Sequence, residues 1–150
     1  MLVLCLSLGA SMIGCAAAQR PVEFMVPESK DAPYDRVSRE LAANGFSPVT
    51  GNRESGIIHT KWQDTGYKYG FIQEQPATIV RRFTVVVSRA EGSVRLILRA
   101  DVKRCVQDGF TVDDTDVRGS CEVMDGLVPS HQAELDRLGA KLRSALSSRG

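Results

Sequence analysis

Two cysteines in the second half of the chain have the number and spacing for a covalent cross-link. Fifteen residues separate Cys105 from Cys121. An even pair of cysteines in an oxidising compartment predicts a structural disulfide. Two inert thiols, a redox pair and a metal site are the alternatives. Redox pairs usually have two-residue spacing, and His59 and His131, the only histidines, lie far from both cysteines in sequence, so the disulfide is favoured.

The N-terminal segment predicts such a compartment, and acylation of a third cysteine. A Leu-rich stretch precedes small residues, and no residue before Arg20 is charged, which is typical of an export signal. Met12-Ile13-Gly14-Cys15 resembles the lipobox of bacterial lipoproteins. The resemblance implies that residues 1–14 are a signal peptide, that the Cys15 thiol is diacylated, and that an acyl chain such as palmitate joins the new amino terminus. Cleavage near residues 16–18 with ordinary secretion, or an uncleaved anchor helix, are the alternatives.

The residue after Cys15 bears on the destination of the chain. It is Ala16 rather than Asp, which by resemblance to Gram-negative lipoproteins favours sorting to the outer membrane, on its periplasmic face. A soluble periplasmic location is the alternative. Residues 15–30 contain Pro21 and Pro27 and show no clear periodicity, so we expect a lipidated flexible tether there. A single domain over residues 31–150 follows.

Basic side chains on a predicted strand form a candidate binding surface. Arg95, Arg99 and Lys103 recur at intervals of four residues, which places them on one face of a strand. Such a face would attract anionic lipid headgroups or an acidic protein surface. Trp62, the only tryptophan, is a further candidate for this surface, although a strand tryptophan more often packs in a core. The alternative for the basic residues is an ordinary solvated sheet face.

Nothing in the sequence has the pattern of a catalytic or cofactor site. Neither histidine is near a nucleophile motif, and the sequence contains no glycine-rich phosphate loop or nucleophile elbow. Four acidic residues between the cysteines could supply oxygen ligands, but their spacing is not that of an EF-hand; they are Asp108, Asp113, Asp114 and Asp116. We therefore expect no enzymatic activity, no cofactor and no bound metal.

Composition limits the class of protein. The chain has 150 residues, with Lys+Arg 19 against Asp+Glu 18. This length suits one domain with one core. A net charge of +1 argues against a dedicated nucleic-acid binder, which needs a strongly basic surface. A hydrophobic content of 43% argues against intrinsic disorder.

Two helices are predicted near the ends of the domain. Apolar residues recur at helical spacing over Ala32–Asn44, Asp31 can cap the start, and Asn44-Gly45 suits a helix end. The second helix is predicted over Ser130–Ser147, with Ser130 as the cap. Its apolar stripe consists of Leu135, Leu138, Leu142, Ala145 and Leu146.

Strands are predicted between the helices. Residues 57–63 alternate in period two, with Ile58, Thr60 and Trp62 on one face. Thr78–Arg89 and Ser93–Arg104 predict an antiparallel hairpin. The segment before the hairpin and the segment 107–120 are expected to be irregular. The buried faces of the hairpin are predicted to hold Ile79, Phe83, Val85, Val87, Val94, Leu96, Leu98, Ala100 and Val102.

Together these elements predict an α+β fold in which an N-terminal and a long C-terminal helix pack on a curved antiparallel sheet. The sequence Asn44-Gly45-Phe46 after the first helix and the strand 54–62, with its Thr60-Lys61-Trp62, resemble the repeated module of the BamC lipoproteins, accessory proteins of outer-membrane β-barrel assembly. The resemblance spans about residues 31–146 and implies a helix-grip arrangement. BamC proteins carry two such modules, and this chain has the length for one.

The resulting functional expectation is a non-enzymatic, lipid-anchored envelope protein that faces the periplasm and acts by binding. Its expected partners are the membrane, through the N-terminal lipid, and an envelope protein, with an assembly accessory as the role that the resemblance implies. The alternative is a carrier of a small apolar ligand or lipid. Such a carrier would need an apolar cavity between the sheet and the last helix.

Overall fold

A computed structural model describes residues 17–148 of the chain. Two long adjacent strands form the centre of one antiparallel sheet, and two helices cover one of its faces. In chain order, the elements of this part are β1 (Ala17–Ala18), β2 (Val22–Pro27), α1 (Pro33–Ala43), β3 (Pro48–Asn52), β4 (Ile57–Thr60), β5 (Gln63–Ile72), β6 (Gln75–Ala90), β7 (Ser93–Val112), β8 (Val117–Met124), β9 (Gly126–Leu127) and α2 (Pro129–Ser147).

The β6–β7 hairpin is paired without interruption from Ala77 opposite Val106 to Ala90 opposite Ser93. Near its turn, β2 pairs with β7, and β4 followed by β3 extends the sheet from β6. At the other end, β5 pairs with β6 and β8 with β7. These seven strands form one sheet, and β1 pairs with β9 in a separate two-stranded ribbon. The predicted hairpin and the α+β fold class are confirmed.

The sheet has an inner face against the helices and an outer face on the other side. Period-two alternation places the predicted apolar residues of β6 and β7 on the inner face, where Phe83 and Leu98 are almost completely buried. The α2 stripe covers them with Leu135, Leu138, Leu142 and Leu146, all of which are buried. No helix within residues 17–148 is long and apolar enough to cross a membrane.

Both predicted helix caps are wrong. The N-cap of α1 is Ala32 and that of α2 is Val128, and neither makes a side-chain capping hydrogen bond. Each helix instead begins with a proline, whose fixed φ suits the first turn and which has no N–H to satisfy. The carboxylate of Asp31, the predicted cap of α1, accepts a hydrogen bond from Arg39 at 2.6 Å.

Two segments predicted to be irregular are strands. The segment that contains Gly66 and Gly70 is β5, and its register on β6 shifts twice, so its side chains do not follow one alternation. Most of 107–120 belongs to the β7–β8 hairpin, in which only residues 113–116 lie between the strands. Strand formation here depends on pairing with neighbours, which local composition does not reveal.

The flexible tether expected over residues 15–30 is wrong for the part that the structure describes. Phe24 and Val26 of β2 are buried, and β2 pairs with β7 from Val22 opposite Leu98 onward. The predicted signal peptide, Cys15 and Ala16 lie outside the described residues. The fold therefore includes the N-terminal segment from Ala17 onward.

Two side-chain amides fix the start of this segment. Gln19 Nε2 donates to the Ala100 carbonyl at 2.9 Å, and Ala100 N donates to Gln19 Oε1 at 2.6 Å. One residue later, Arg20 N donates to Gln132 Oε1 at 3.1 Å, and Gln132 Nε2 donates to the Arg20 carbonyl at 2.9 Å. The first pair attaches the chain to β7 and the second attaches it to α2.

The packing of β2 under α2 gives a direct stability test. A Cβ at Gly139 would lie 2.5 Å from Val22 Cγ1. Gly→Ala in a helix interior normally stabilises by about 1 kcal/mol, but overpacking costs about 1–3 kcal/mol. We expect Gly139→Ala to lower the free energy of unfolding in urea by about 1 kcal/mol. In a Val22→Ala background, Gly139→Ala should cause a smaller loss. Ser144→Ala, at an exposed position of the same helix, should cause no loss. A more stable Gly139→Ala variant would contradict this packing.

Candidate binding groove on the outer face

The site begins with a change of face at Trp62. Ile58 and Thr60 lie on the inner face, where Phe83 N donates to Thr60 Oγ1 at 2.9 Å. β4 then ends, and Trp62 lies on the outer face in a cluster with Val80 and other buried side chains. The prediction that Trp62 shares the face of Ile58 and Thr60 is wrong, because the strand alternation does not continue through the corner between β4 and β5.

A disulfide-linked hairpin covers the indole of Trp62. Cys105 on β7 pairs directly with Cys121 on β8 and is bonded to it, as predicted. Cys105 and Val117 pack against Trp62 in the outer cluster. Trp62 N also donates to the Asp114 carbonyl at 3.3 Å, so the β7–β8 turn folds back toward the β4–β5 corner. As a result, Trp62 is only 8% exposed.

Two cations lie over the indole. Arg82 Cζ is 5.0 Å and Lys103 Nζ is 5.1 Å from the ring centroid. A cation over an indole face is stabilised by the ring quadrupole, by about 0.5–2 kcal/mol depending on desolvation. Lys103 Nζ also donates to the Val117 carbonyl at 3.3 Å. The indole and the β8 backbone therefore hold the ammonium of Lys103 in place.

A shared carboxylate connects Arg82 to a further cation. Arg82 Nε lies 2.9 Å from Asp101 Oδ2, and Arg99 Nε lies 3.6 Å from Asp101 Oδ1. These side chains line a groove of about 440 Å³ beside the two cysteine-bearing strands. We call it the Trp62 groove; its principal lining residues are Gln19, Trp62, Arg82, Arg99, Asp101 and Lys103.

The groove carries more positive than negative charge. Arg82 and Arg99 share Asp101, and Asp125 lies exposed at the edge of the groove. Among the described residues, no carboxylate lies within ion-pair distance of Lys103. The three cations therefore outnumber the two carboxylates of the groove, and Lys103 is the cation without an acidic partner in this part of the chain.

A hydrogen-bonded chain extends from the groove to His59. Thr84 Oγ1 donates to Asp101 Oδ2 at 2.8 Å and lies 2.8 Å from His59 Nδ1. Because the hydroxyl has one proton and gives it to the carboxylate, His59 Nδ1 must be the donor to Thr84. Partial burial lowers the pKa of His59, Arg82 and Arg99 lower it further, and Asp101 opposes them. His59 is accordingly neutral at pH 7.

This chain of hydrogen bonds does not have the order of a catalytic triad. In a triad the histidine lies between the hydroxyl and the carboxylate, whereas here the hydroxyl of Thr84 lies between His59 and Asp101. Thr84 is only 1% exposed, so its oxygen is not accessible to a substrate. The arrangement can orient Asp101, which in turn orients Arg82 and Arg99.

Three of the four residues predicted for the binding surface meet in the groove, and one does not. Trp62, Arg99 and Lys103 line it. Arg95 lies further along the same face and is paired with Glu23 at 2.6 Å, and that hydrogen bond lowers the pKa of Glu23. The sequence analysis missed the roles of Asp101 and Gln19. The role of Asp101 could have been predicted from the hairpin, because the register of the hairpin places Arg82 directly opposite Asp101.

The acidic residues of the β7–β8 turn have basic partners. Asp114 lies 2.7 Å from Lys61 Nζ, while Asp113 and Asp116 both lie near Arg118. Among the described residues, no group of three or more histidine, cysteine or acidic side chains is arranged to hold a metal ion.

The inner side of the sheet has a partly buried ion pair between Arg81 and Glu134. Arg81 Nη2 donates to Glu134 Oε1 at 2.6 Å, and the guanidinium stacks 4.7 Å from the Phe83 ring centroid. His131 lies buried at the start of α2, 5.3 Å from the Tyr67 ring. Burial lowers the pKa of His131, as does Arg81, while Glu134 opposes them. These groups bind one another and connect α2 to the sheet.

A larger groove, of about 620 Å³, lies beside α1. Its charged lining residues are balanced in sign, since Lys30, Arg36 and Arg39 face Glu28, Asp31 and Glu40. A groove without net charge offers no electrostatic selection for a charged ligand. The Trp62 groove is the stronger candidate site.

Neither the protein-family models nor the curated proteins give a match to this chain. Among solved structures, the chain is similar to a DUF4468 family protein from Bacteroides ovatus ATCC 8483, with a TM-score of 0.42 and 11% sequence identity. That match covers 87% of this chain and 88% of the other. A similarity of this size assigns neither a family nor a function.

The disulfide gives a stability prediction for the groove. Linking two cysteines across a loop of about 15 residues stabilises a protein by about 3 kcal/mol through the entropy of the unfolded chain. We expect Cys105→Ala/Cys121→Ala to lower the free energy of unfolding by about that amount, measured in urea by Trp62 fluorescence. Reduced wild-type protein, refolded with a thiol reductant present, should match the variant. A loss below about 1 kcal/mol would contradict a stabilising role.

Proposed function

We propose that this chain is a lipid-anchored envelope protein that faces the periplasm and acts by binding, with the Trp62 groove as its contact surface. The observation that carries the proposal is the cluster of three cations that line the groove: Arg82 and Lys103 lie over the buried indole of Trp62, and Arg82 and Arg99 share Asp101. Such a site can bind anionic groups but holds no accessible nucleophile.

The rigidity of the groove supports a role in binding. Its walls are β6, β7 and a hairpin closed by the Cys105–Cys121 bond. Asp101 is fixed by Arg82 and by the Thr84 hydroxyl. Preorganised side chains lose little conformational entropy when a partner binds. An acidic or phosphate-bearing partner would therefore meet cations already in position.

The anchor part of the proposal rests on the lipobox-like sequence that ends at Cys15. Acylation at Cys15 with two or three chains would hold the protein on a membrane, and Ala16 favours the periplasmic face of the outer membrane. A role as accessory to β-barrel assembly, as in the BamC proteins, is the more specific form of this proposal.

The carrier alternative has less support. The space between the sheet and α2, where a carrier would hold its ligand, is occupied by a continuous core of buried apolar side chains from both elements. A carrier needs an apolar cavity of several hundred Å³.

Intact mass spectrometry of the protein purified from its native membrane tests the proposal. We expect the mass of Cys15–Gly150 plus acyl chains, rising by about two hydrogens on reduction because one S–S bond is opened. The Cys15→Ser variant should lack the acyl mass and, unlike the wild-type chain, be released from the membrane fraction by a high-salt wash. An unmodified mass for the wild-type chain would contradict the lipid anchor.

A further inference from the structure

Resting on the proposed anchor and groove, we propose that the Trp62 groove binds the headgroup phosphates of anionic phospholipids in the leaflet that holds the lipid anchor. The groove would then act as a second membrane contact. The domain would lie on the membrane in one orientation instead of rotating freely about its lipid anchor.

The groove lies close in sequence to the predicted anchor at Cys15. Gln19 lines the groove and is fixed to Ala100 by two hydrogen bonds. Only three residues separate Gln19 from Cys15, and this step of four residue positions spans at most about 14 Å when fully extended. An acylated Cys15 therefore places the membrane surface within about 14 Å of the groove wall.

The groove presents cations that can bind a headgroup phosphate. Phosphate oxygens are bound by guanidinium and ammonium groups, and the groove presents both types in Arg99 and Lys103. The side chain of Arg99 is 54% exposed, so it can reach a headgroup. Lys103 has no carboxylate partner within ion-pair distance among residues 17–148. Asp125, at the groove edge, is the group that would oppose an anionic surface.

The groove also has an exposed apolar side chain at its edge. Val123 is directly opposite Lys103 in the β7–β8 pairing, lines the groove and is 73% exposed. Exposed apolar side chains beside cations are typical of protein surfaces that lie at the boundary between headgroups and acyl chains. An exposed valine at this position has no partner in the core of the domain, but it can contact lipid.

Vesicle binding in the absence of the acyl anchor tests the proposal. The full chain carrying Cys15→Ser is mixed with vesicles of phosphatidylcholine alone or with added phosphatidylglycerol, at low ionic strength, and sedimented. Binding to neutral vesicles measures the contribution of the N-terminal segment. We expect additional binding to the anionic vesicles, decreasing as salt is raised because the Debye length shortens.

Charge variants locate this binding. Each basic residue near an anionic surface changes the partition coefficient about fivefold, so Arg99→Gln/Lys103→Gln should reduce it about 25-fold. The matched control, Arg137→Gln/Lys141→Gln, removes the same charge from exposed positions on α2 and should change it less than about threefold. Arg99→Gln alone, at an exposed side chain, should cost about fivefold. Asp125→Asn should increase binding by about the same factor.

Several outcomes would overturn the inference. One is equal binding to neutral and anionic vesicles. Another is an equal loss of vesicle binding in the groove double variant and the control double variant. A third is release of the chain from vesicles by millimolar inorganic phosphate, which would indicate a soluble phosphate ligand. Absence of vesicle binding together with an acylated native mass would refute this inference and leave the proposed function standing, with an acidic protein as the partner. Groove-dependent vesicle binding by a chain whose native mass shows no lipid would refute the anchor alone.

Discussion

The register of the β6–β7 hairpin is the constraint on which the rest of the structure depends. Fourteen consecutive residue pairs, from Ala77–Val106 to Ala90–Ser93, fix which side chains share a face. A shift by one residue would move every side chain of a strand to the opposite face. The same register that buries Phe83 opposite Ala100 on the inner face places Arg82 opposite Asp101 on the outer face. The core and the groove are therefore two consequences of one pairing.

The two faces of the sheet are stabilised by different means. On the inner face, α1 and α2 bury a continuous apolar core. Neither of the two described helices covers the outer face, where a small cluster around Trp62 is closed by the disulfide hairpin. At Ala100, the edge of β7 away from β6 is not paired with a strand. The backbone N–H and carbonyl of Ala100 are instead both hydrogen-bonded to the side-chain amide of Gln19. This side-chain pairing carries the N-terminal segment to the groove.

Sequence periodicity predicted the elements whose structure is determined locally. The β6–β7 hairpin, the α2 stripe and the Cys105–Cys121 bond follow from alternation, helical spacing and cysteine count. The strand β2 has alternating Val22, Phe24 and Val26, but prolines on either side concealed the signal, and its pairing partners in β7 lie 66 to 76 residues later.

The groove itself needed the tertiary structure. The position of Trp62 on the outer face depends on a corner between two strands, and the β7–β8 hairpin exists because β7 offers it an edge. Arg95, Arg99 and Lys103 share a face as their spacing predicts, but only the positions of Glu23 and Asp101 decide which of them are free to bind. Charge spacing alone therefore identified the surface without separating Arg95, which is paired with Glu23, from the groove.

Energy transfer from Trp62 to dansyl-labelled lipid headgroups tests whether the groove faces the membrane, because Trp62 is the only tryptophan and lies in the groove. The native, membrane-anchored protein is reconstituted into labelled vesicles. It is compared with a Trp62→Phe/Arg137→Trp variant, whose fluorophore lies on the helix side of the sheet. If the groove faces the membrane, transfer from Trp62 is much the more efficient of the two. Equal transfer from both positions, or stronger transfer from position 137, would contradict the account.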